Sequence, residues 1–119
     1  MKHVLDLEKL VKENDNFRKV LFTGKQCQLV AMHLLPGDEI GEEVHPLIDQ
    51  IFVVEDGKGE LILDGKPEPL VEEQVAFAPA GTRHNVRNIG KKPLKLFTMY
   101  APPVHAPNLV EKAPHKLVT

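Results

Sequence analysis

Leu7, Leu10 and Val11 in "LDLEKLVKEND" fall at helical spacing, with Asp6 placed to cap the first turn. From Lys19 onward the pattern changes. Short β-type runs follow one another: "KVLFTG", "QCQLVAMHLL", "EIGEEVH", "QIFVVE", "GELILDG", "QVAFAP", "HNVRNIG" and "LKLFTMYAP". Between them stand "PGD", "HPLID", "EDGKG", "DGKPEP", "PAGTRH" and "GKKP", all rich in residues that turn a chain. Short strands at near-even spacing predict an all-β sandwich or barrel, with the helix a lid or packing element outside it. "EDGKGE" at Glu55–Glu60 reads as a hairpin, its glycines free to take positive φ. The Pro-rich stretch after Tyr100 is expected to lie extended over the surface. One domain over residues 1–119 is expected, with a barrel core at about 20–103 and a tail at 104–119.

Composition narrows the function classes. Charged residues make up 27% of the chain and apolar ones 42%, an ordinary globular balance that argues against disorder. The formal charge is −2, and "GKK" and "RHNVR" are too short to form a basic footprint, so neither nucleic acid nor membrane is an expected partner. A single cysteine, Cys27, excludes an internal disulfide framework and a thiolate metal site. Asp6 and Glu8 interrupt the N-terminus before an apolar segment forms, so no signal peptide is expected and the reading is cytoplasmic.

The candidate chemistry lies in "GEEVHPLIDQIFVVEDG". Glu43 and His45 are two apart, so on a strand they project to one side. If Gln50 faces the same way, Phe52 and Val54 follow it inward, setting polar groups beside an apolar interior. His84 follows the turn "PAGTR" and completes the candidate set.

These residues carry a resemblance. The chain resembles the cupins, whose first motif is G-x5-H-x-H-x3–4-E-x6-G and whose second is G-x5-P-x-G-x2-H-x3-N. In the second, Pro79, Gly81, His84 and Asn88 match in order, and only the opening glycine departs, being Glu73. In the first, Gly37, His45 and Gly57 match, while Glu43 replaces the first histidine and Gln50 the glutamate. The resemblance covers roughly Leu34 to Pro103. It implies a double-stranded β-helix, or jelly-roll, barrel. It also implies one divalent metal ion per chain (Zn, Mn, Fe or Ni) on Glu43, His45, Gln50 and His84, since both substitutes carry oxygens able to coordinate a cation. Such a set would leave a net charge of about +1 around the ion. Its composition is similar to the zinc site of type I phosphomannose isomerases.

Each residue also has a plainer reading. His45 and His84 are otherwise core or surface histidines, Gln50 a hydrogen-bonding support for a ligand, and Glu43 a solvated strand carboxylate. His33 is expected in a hydrogen-bonded structural role and Asn88 in a turn. His3 and His115 are expected to be solvated, and His105 reaches the barrel mouth only if the tail folds back. Phe52, Phe77, Phe97 and Tyr100 are expected chiefly in the core, and Arg83 and Arg87 at the solvated surface. Ile51 and Val53 should face away from the site, where another part of the chain or a second subunit covers them; cupins commonly pair this way, so a homodimer is expected.

Function divides accordingly. One reading is a small metallo-cupin acting on a small oxygenated molecule such as a sugar derivative, by a sugar-isomerase-like or a dioxygenase-like route. A second is a module that binds a small ligand without turnover. A third has the polar cluster merely knitting the barrel together. The residues alone leave all three open.

Overall fold

The computed structural model describes residues 3–114. One short helix precedes ten strands: α1 (Leu7–Glu13), β1 (Arg18–Thr23), β2 (Gln28–Leu34), β3 (Glu43–Val44), β4 (Asp49–Asp56), β5 (Lys58–Leu63), β6 (Lys66–Val71), β7 (Val75–Ala78), β8 (Arg83–Asn88), β9 (Leu94–Ala101) and β10 (Val110–Glu111). The strands form a six-stranded sheet, β10-β1-β2-β9-β4-β7, and a four-stranded sheet, β3-β8-β5-β6, antiparallel throughout. This is the all-β jelly-roll that the motifs imply. Among the described residues no helix is long and apolar enough to cross a membrane.

The two-residue period decides which side chains enter the barrel. Along β4, Gln50, Phe52 and Val54 are buried and point inward, while Ile51 and Val53 face out. Along β9, Leu94, Leu96, Thr98 and Tyr100 alternate inward in the same way. Val30, Met32 and Leu34 of β2, beside β9, and Leu61 of β5 and Val86 of β8, from the other sheet, complete the core. Helix α1, capped by the Asp6 carboxylate accepting from Lys9 N–H, packs against the outside of the six-stranded sheet, contacting β2, β4 and β9. Val11 is fully buried there.

Three expectations need correction. Glu55–Glu60 is not a hairpin: β4 pairs with β7 and β9, β5 pairs with β6 and β8, and Gly57 is the corner where the chain changes sheets. Its φ is +98°, and a Cβ there would stand 2.8 Å from the Pro93 carbonyl oxygen. The tight hairpin joins β5 to β6 instead, across Asp64 and Gly65, both at positive φ. Phe77 is 51% exposed rather than core. It pairs with Ile51, so the parity of β7 sends it to the outer face, where Phe97 is also only partly covered.

The third correction concerns the stretch after Tyr100. It does not only run over the surface. Gln28, fully buried on β2, donates from Nε2 to the His105 carbonyl (2.8 Å), and its Oε1 accepts the N–H groups of Val104 and His105. The chain is thereby drawn back over the barrel, and Val110–Glu111 pairs with Arg18–Lys19 as β10.

Candidate functional site

Short β3 pairs with β8 so that Glu43 lies directly opposite His84. His45 follows β3, its carbonyl accepting from Gly81 N–H (2.9 Å), which ties it to the turn before β8. Gln50 enters from β4, in the other sheet. The fold thus gathers all four predicted residues. Gln50 is 1% exposed and His84 4%, with the two imidazole rings 5.4 Å apart.

The side chains meet as two pairs. His45 Nε2, which is buried, lies 2.8 Å from Glu43 Oε2, an ion pair when the ring is protonated. His84 Nε2 lies 3.0 Å from Gln50 Oε1, while the Gln50 amide nitrogen donates to Thr98 Oγ1 (2.9 Å). The other His84 nitrogen, Nδ1, faces the Thr82 carbonyl at 3.4 Å. Burial lowers the His84 pKa, opposed by the Thr82 carbonyl, lowered further by His45 and raised by Glu43. At neutral pH the ring therefore carries one proton. Its two nitrogens each face an oxygen acceptor, and one proton serves only one of them. Among the described residues no group of three or more His, Cys, Asp or Glu side chains stands already converged on a single point.

This donor set fits a divalent ion. Two ligands about 2.1 Å from an ion sit about 3.0 Å apart at the right angle of an octahedral site and about 3.4 Å apart at the tetrahedral angle, against 2.8 and 3.0 Å within the two pairs here. A cation would also take the place of the protons that these two histidine–oxygen contacts otherwise need. Two imidazoles, a carboxylate and an amide oxygen suit Zn, Mn or Fe(II).

Beyond the four lies a polar group that the sequence reading passed over. Tyr100 is directly opposite Gln50 across β4 and β9, and its ring meets His45 edge-on at 6.2 Å and His105 at 5.0 Å. Its hydroxyl is 3.2 Å from His105 Nε2. Burial pushes the phenol pKa up to about 12; Arg18 opposes this and Glu43 adds to it. The same burial, with the charge of Arg18, lowers the pKa of His105. Arg18 itself is 7% exposed and forms an ion pair with Glu111 of β10. The signal was available for Arg18, two residues before the inward Val20. Tyr100 was placed in the core for its ring, and its hydroxyl was overlooked.

The remaining candidates separate cleanly. Asn88 holds a turn, donating to the Leu34 and Lys92 carbonyls and accepting from Gly90 N–H. Arg83 and Arg87 pair with Glu42 and Glu39 at the surface. His33 lies on the outer face, 3.9 Å from Asp15, with a buried Nε2 that lacks the expected hydrogen bond. His3 is exposed, and His115 lies outside the described residues. A surface depression of about 510 Å³ sits between the edges of β6 and β7, lined by residues such as Glu68, Pro69 and Phe77, away from the interior cluster and its titratable groups.

Comparison with known proteins agrees with this architecture. The Cupin_2 family, described as a cupin domain, matches residues 30–100. An uncharacterised protein of Bacillus subtilis (strain 168), YrkC, is 39% identical over 109 residues, covering 86% of this chain and 58% of that protein. An uncharacterised protein of Acanthamoeba polyphaga mimivirus, L612, is 33% identical over 114 residues, covering 92% of this chain and 71% of its own length. The crystal structure of BH2720 from Bacillus halodurans superimposes with a TM-score of 0.91 at 38% identity, covering 94% of this chain and 89% of the other. The chain thus spans little more than half of the first relative.

Proposed function

The chain belongs to the cupin family, and from that premise we propose that it holds one divalent metal ion on Glu43, His45, Gln50 and His84 and receives a small oxygenated molecule beside it. The observation that carries this reading is the convergence of two buried histidine nitrogens on oxygen atoms: His45 Nε2 on the Glu43 carboxylate at 2.8 Å and His84 Nε2 on Gln50 Oε1 at 3.0 Å, with the two rings 5.4 Å apart. Protons on the two rings would serve each pair singly, whereas one cation would draw on all four side chains together.

A bound ion would act as a Lewis acid towards a carbonyl or enediolate oxygen. The chain's own residues fix the rest. Thr98 holds the Gln50 amide with its oxygen turned towards His84, and the Thr82 carbonyl, 3.4 Å from Nδ1, would accept a hydrogen bond from that nitrogen when Nε2 faces an ion. The apolar wall formed by Phe52, 6.0 Å from the His84 ring, keeps water from that side. Two copies of the chain would pair through the outer face of the six-stranded sheet, where Val75 and Phe77 are exposed beside Ile51 and Val53.

The test is elemental analysis of untagged protein purified without chelators. About one divalent ion per chain is expected, and His84→Ala should lose it while keeping the wild-type circular dichroism spectrum. Metal-free protein, or a variant that retains the ion, would refute the reading. Oxygen uptake and sugar-phosphate isomerisation by the loaded protein then distinguish an enzyme from a binding module.

A further inference from the structure

Four strands end the two sheets: β10 and β7 in the larger, β3 and β6 in the smaller. A sheet edge leaves alternate N–H and C=O groups without a strand to pair with, and proteins usually blunt it. β3 and β10 are two residues long, too short to serve as a template. β6 opens on a lysine and contains Pro67 and Pro69, which have no N–H to give. β7, Val75–Ala78, has neither charge nor proline, and Val75 and Phe77 are exposed on it. Beside this undefended edge lies the depression of about 510 Å³ that separates it from β6. Leu61, Leu70 and Ala76, all buried, give it an apolar floor. Glu68 lines it too, on the same face of β6 as Leu70 because the two are two residues apart, and so does Glu73. Among the described residues neither carboxylate forms an ion pair.

We propose that the β7 edge takes up an extended segment of a partner protein as an added strand of the six-stranded sheet, the segment alternating lysine or arginine with β-branched residues. Each half of that pattern comes from one side of the edge. Side chains of the added strand that turn inward meet Leu61, Leu70 and Ala76 beside the carboxylates, so an aliphatic stem ending in a cation fits there. Those that turn outward continue the apolar row of Val75 and Phe77, where β-branched side chains pack well. Backbone hydrogen bonds to β7 supply the attachment, and the alternation supplies the selectivity. A second copy of this chain is a poor occupant. Pairing β7 with itself about a two-fold axis puts the Glu68 and Glu73 carboxylates of both chains into one interface whose lining holds no lysine or arginine. The edge is separate from the four-residue cluster and requires no metal, and pairing of copies through the outer face uses the outward side chains of β7 rather than its backbone.

Calorimetric titration of the full chain with an acetylated and amidated hexapeptide of alternating lysine and valine tests the edge. The comparisons are the same peptide with glutamate in place of lysine, and two versions methylated on backbone nitrogens, one at the lysines and one at the valines. The lysine peptide should bind at least about tenfold tighter than the glutamate peptide, from the ordinary worth of charge-assisted contacts. An added strand turns only alternate N–H groups towards the edge, so one methylated version should bind about tenfold more weakly and the other within about twofold of the parent. Glu68→Gln combined with Glu73→Gln, both at exposed positions, should bring the lysine and glutamate peptides within about threefold of each other while the one-sided effect of methylation persists. No binding of the lysine peptide, equal binding of the lysine and glutamate peptides, or equal effects of the two methylations overturns the proposal, as does a double variant that keeps the full preference for lysine.

Discussion

Tyr100 is the only tyrosine, and the chain has no tryptophan, so its ionisation is read directly from phenolate absorbance near 295 nm. In the folded protein its pKa is pushed up to about 12, first by burial; the charge of Arg18 works against the rise and that of Glu43 with it. In the unfolded chain the value is about 10. The folded state therefore holds this proton more tightly than the unfolded state. Its contribution is fully present below pH 10 and is lost as pH rises through about 12. Two units correspond to about 3 kcal/mol, and with the side chain 1% exposed no solvent screening reduces the figure. The assay is a stepwise alkaline titration that follows absorbance and near-ultraviolet circular dichroism together, with urea unfolding at pH 9 and pH 11. Phenolate should appear only above pH 11 or together with loss of the native signal, and stability should fall by about 1 to 2 kcal/mol between the two urea series. Ionisation near pH 10 in protein that keeps its native dichroism would refute the buried, hydrogen-bonded placement of Tyr100.

Other consequences follow from single contacts. Gln28→Leu leaves two N–H groups and one carbonyl of the returning chain without partners, and should cost about 2 to 4 kcal/mol in urea unfolding; it should also speed hydrogen exchange at Val104 and His105 N–H, and unchanged exchange there would contradict the strap. Glu73 takes the family's glycine position and still has φ +70°, so Glu73→Gly should stabilise the protein by about 1 kcal/mol, the reverse of the usual cost of introducing glycine, as a thermal melt would show. Phe77→Asp, on the exposed outer face, should convert a dimer to a monomer in analytical ultracentrifugation without changing the melt of the dilute protein; a wild type that is monomeric at every concentration would remove the pairing proposal.

The barrel was legible because alternation carries over from chain to sheet without loss. Once Phe52 and Val54 are inward, Gln50 must be, and Ile51 and Val53 must not. The meeting of Glu43, His45, Gln50 and His84 was legible for the same reason, helped by turn residues at fixed intervals. What stayed hidden depends on pairing, which no local pattern contains. "EDGKG" has the composition of a hairpin, yet Gly57 turns a corner between sheets because the neighbouring β8–β9 connection brings the Pro93 carbonyl too close for any Cβ. Phe77 is as apolar as Phe52, and only the register Ile51↔Phe77 shows that it faces out. The returning strap is least legible of all. Its anchor, Gln28, lies 77 residues before His105 and reads as a polar interruption in an apolar strand.

The two departures from the cupin motif make sense together. The usual pattern puts a carboxylate on the residue that here is Gln50, in the most enclosed part of the site. A carboxylate there, without an ion, would have to take up a proton or suffer the cost of an unpaired buried charge. In this chain the enclosed position carries a neutral amide, tied to Thr98, and the negative charge has moved to Glu43 on short β3, whose side chain is 34% exposed and reaches water. The total charge that the proposed site would offer a cation is the same, but a neutral amide costs less to bury than a carboxylate. On the proposed metal reading, the arrangement would keep the metal-free barrel stable with a neutral ligand at the enclosed position. Restoring the family residue at position 50 should shift that balance, tightening metal while lowering the melting temperature of the metal-free protein, because one substitution acts on both states through the same buried oxygen.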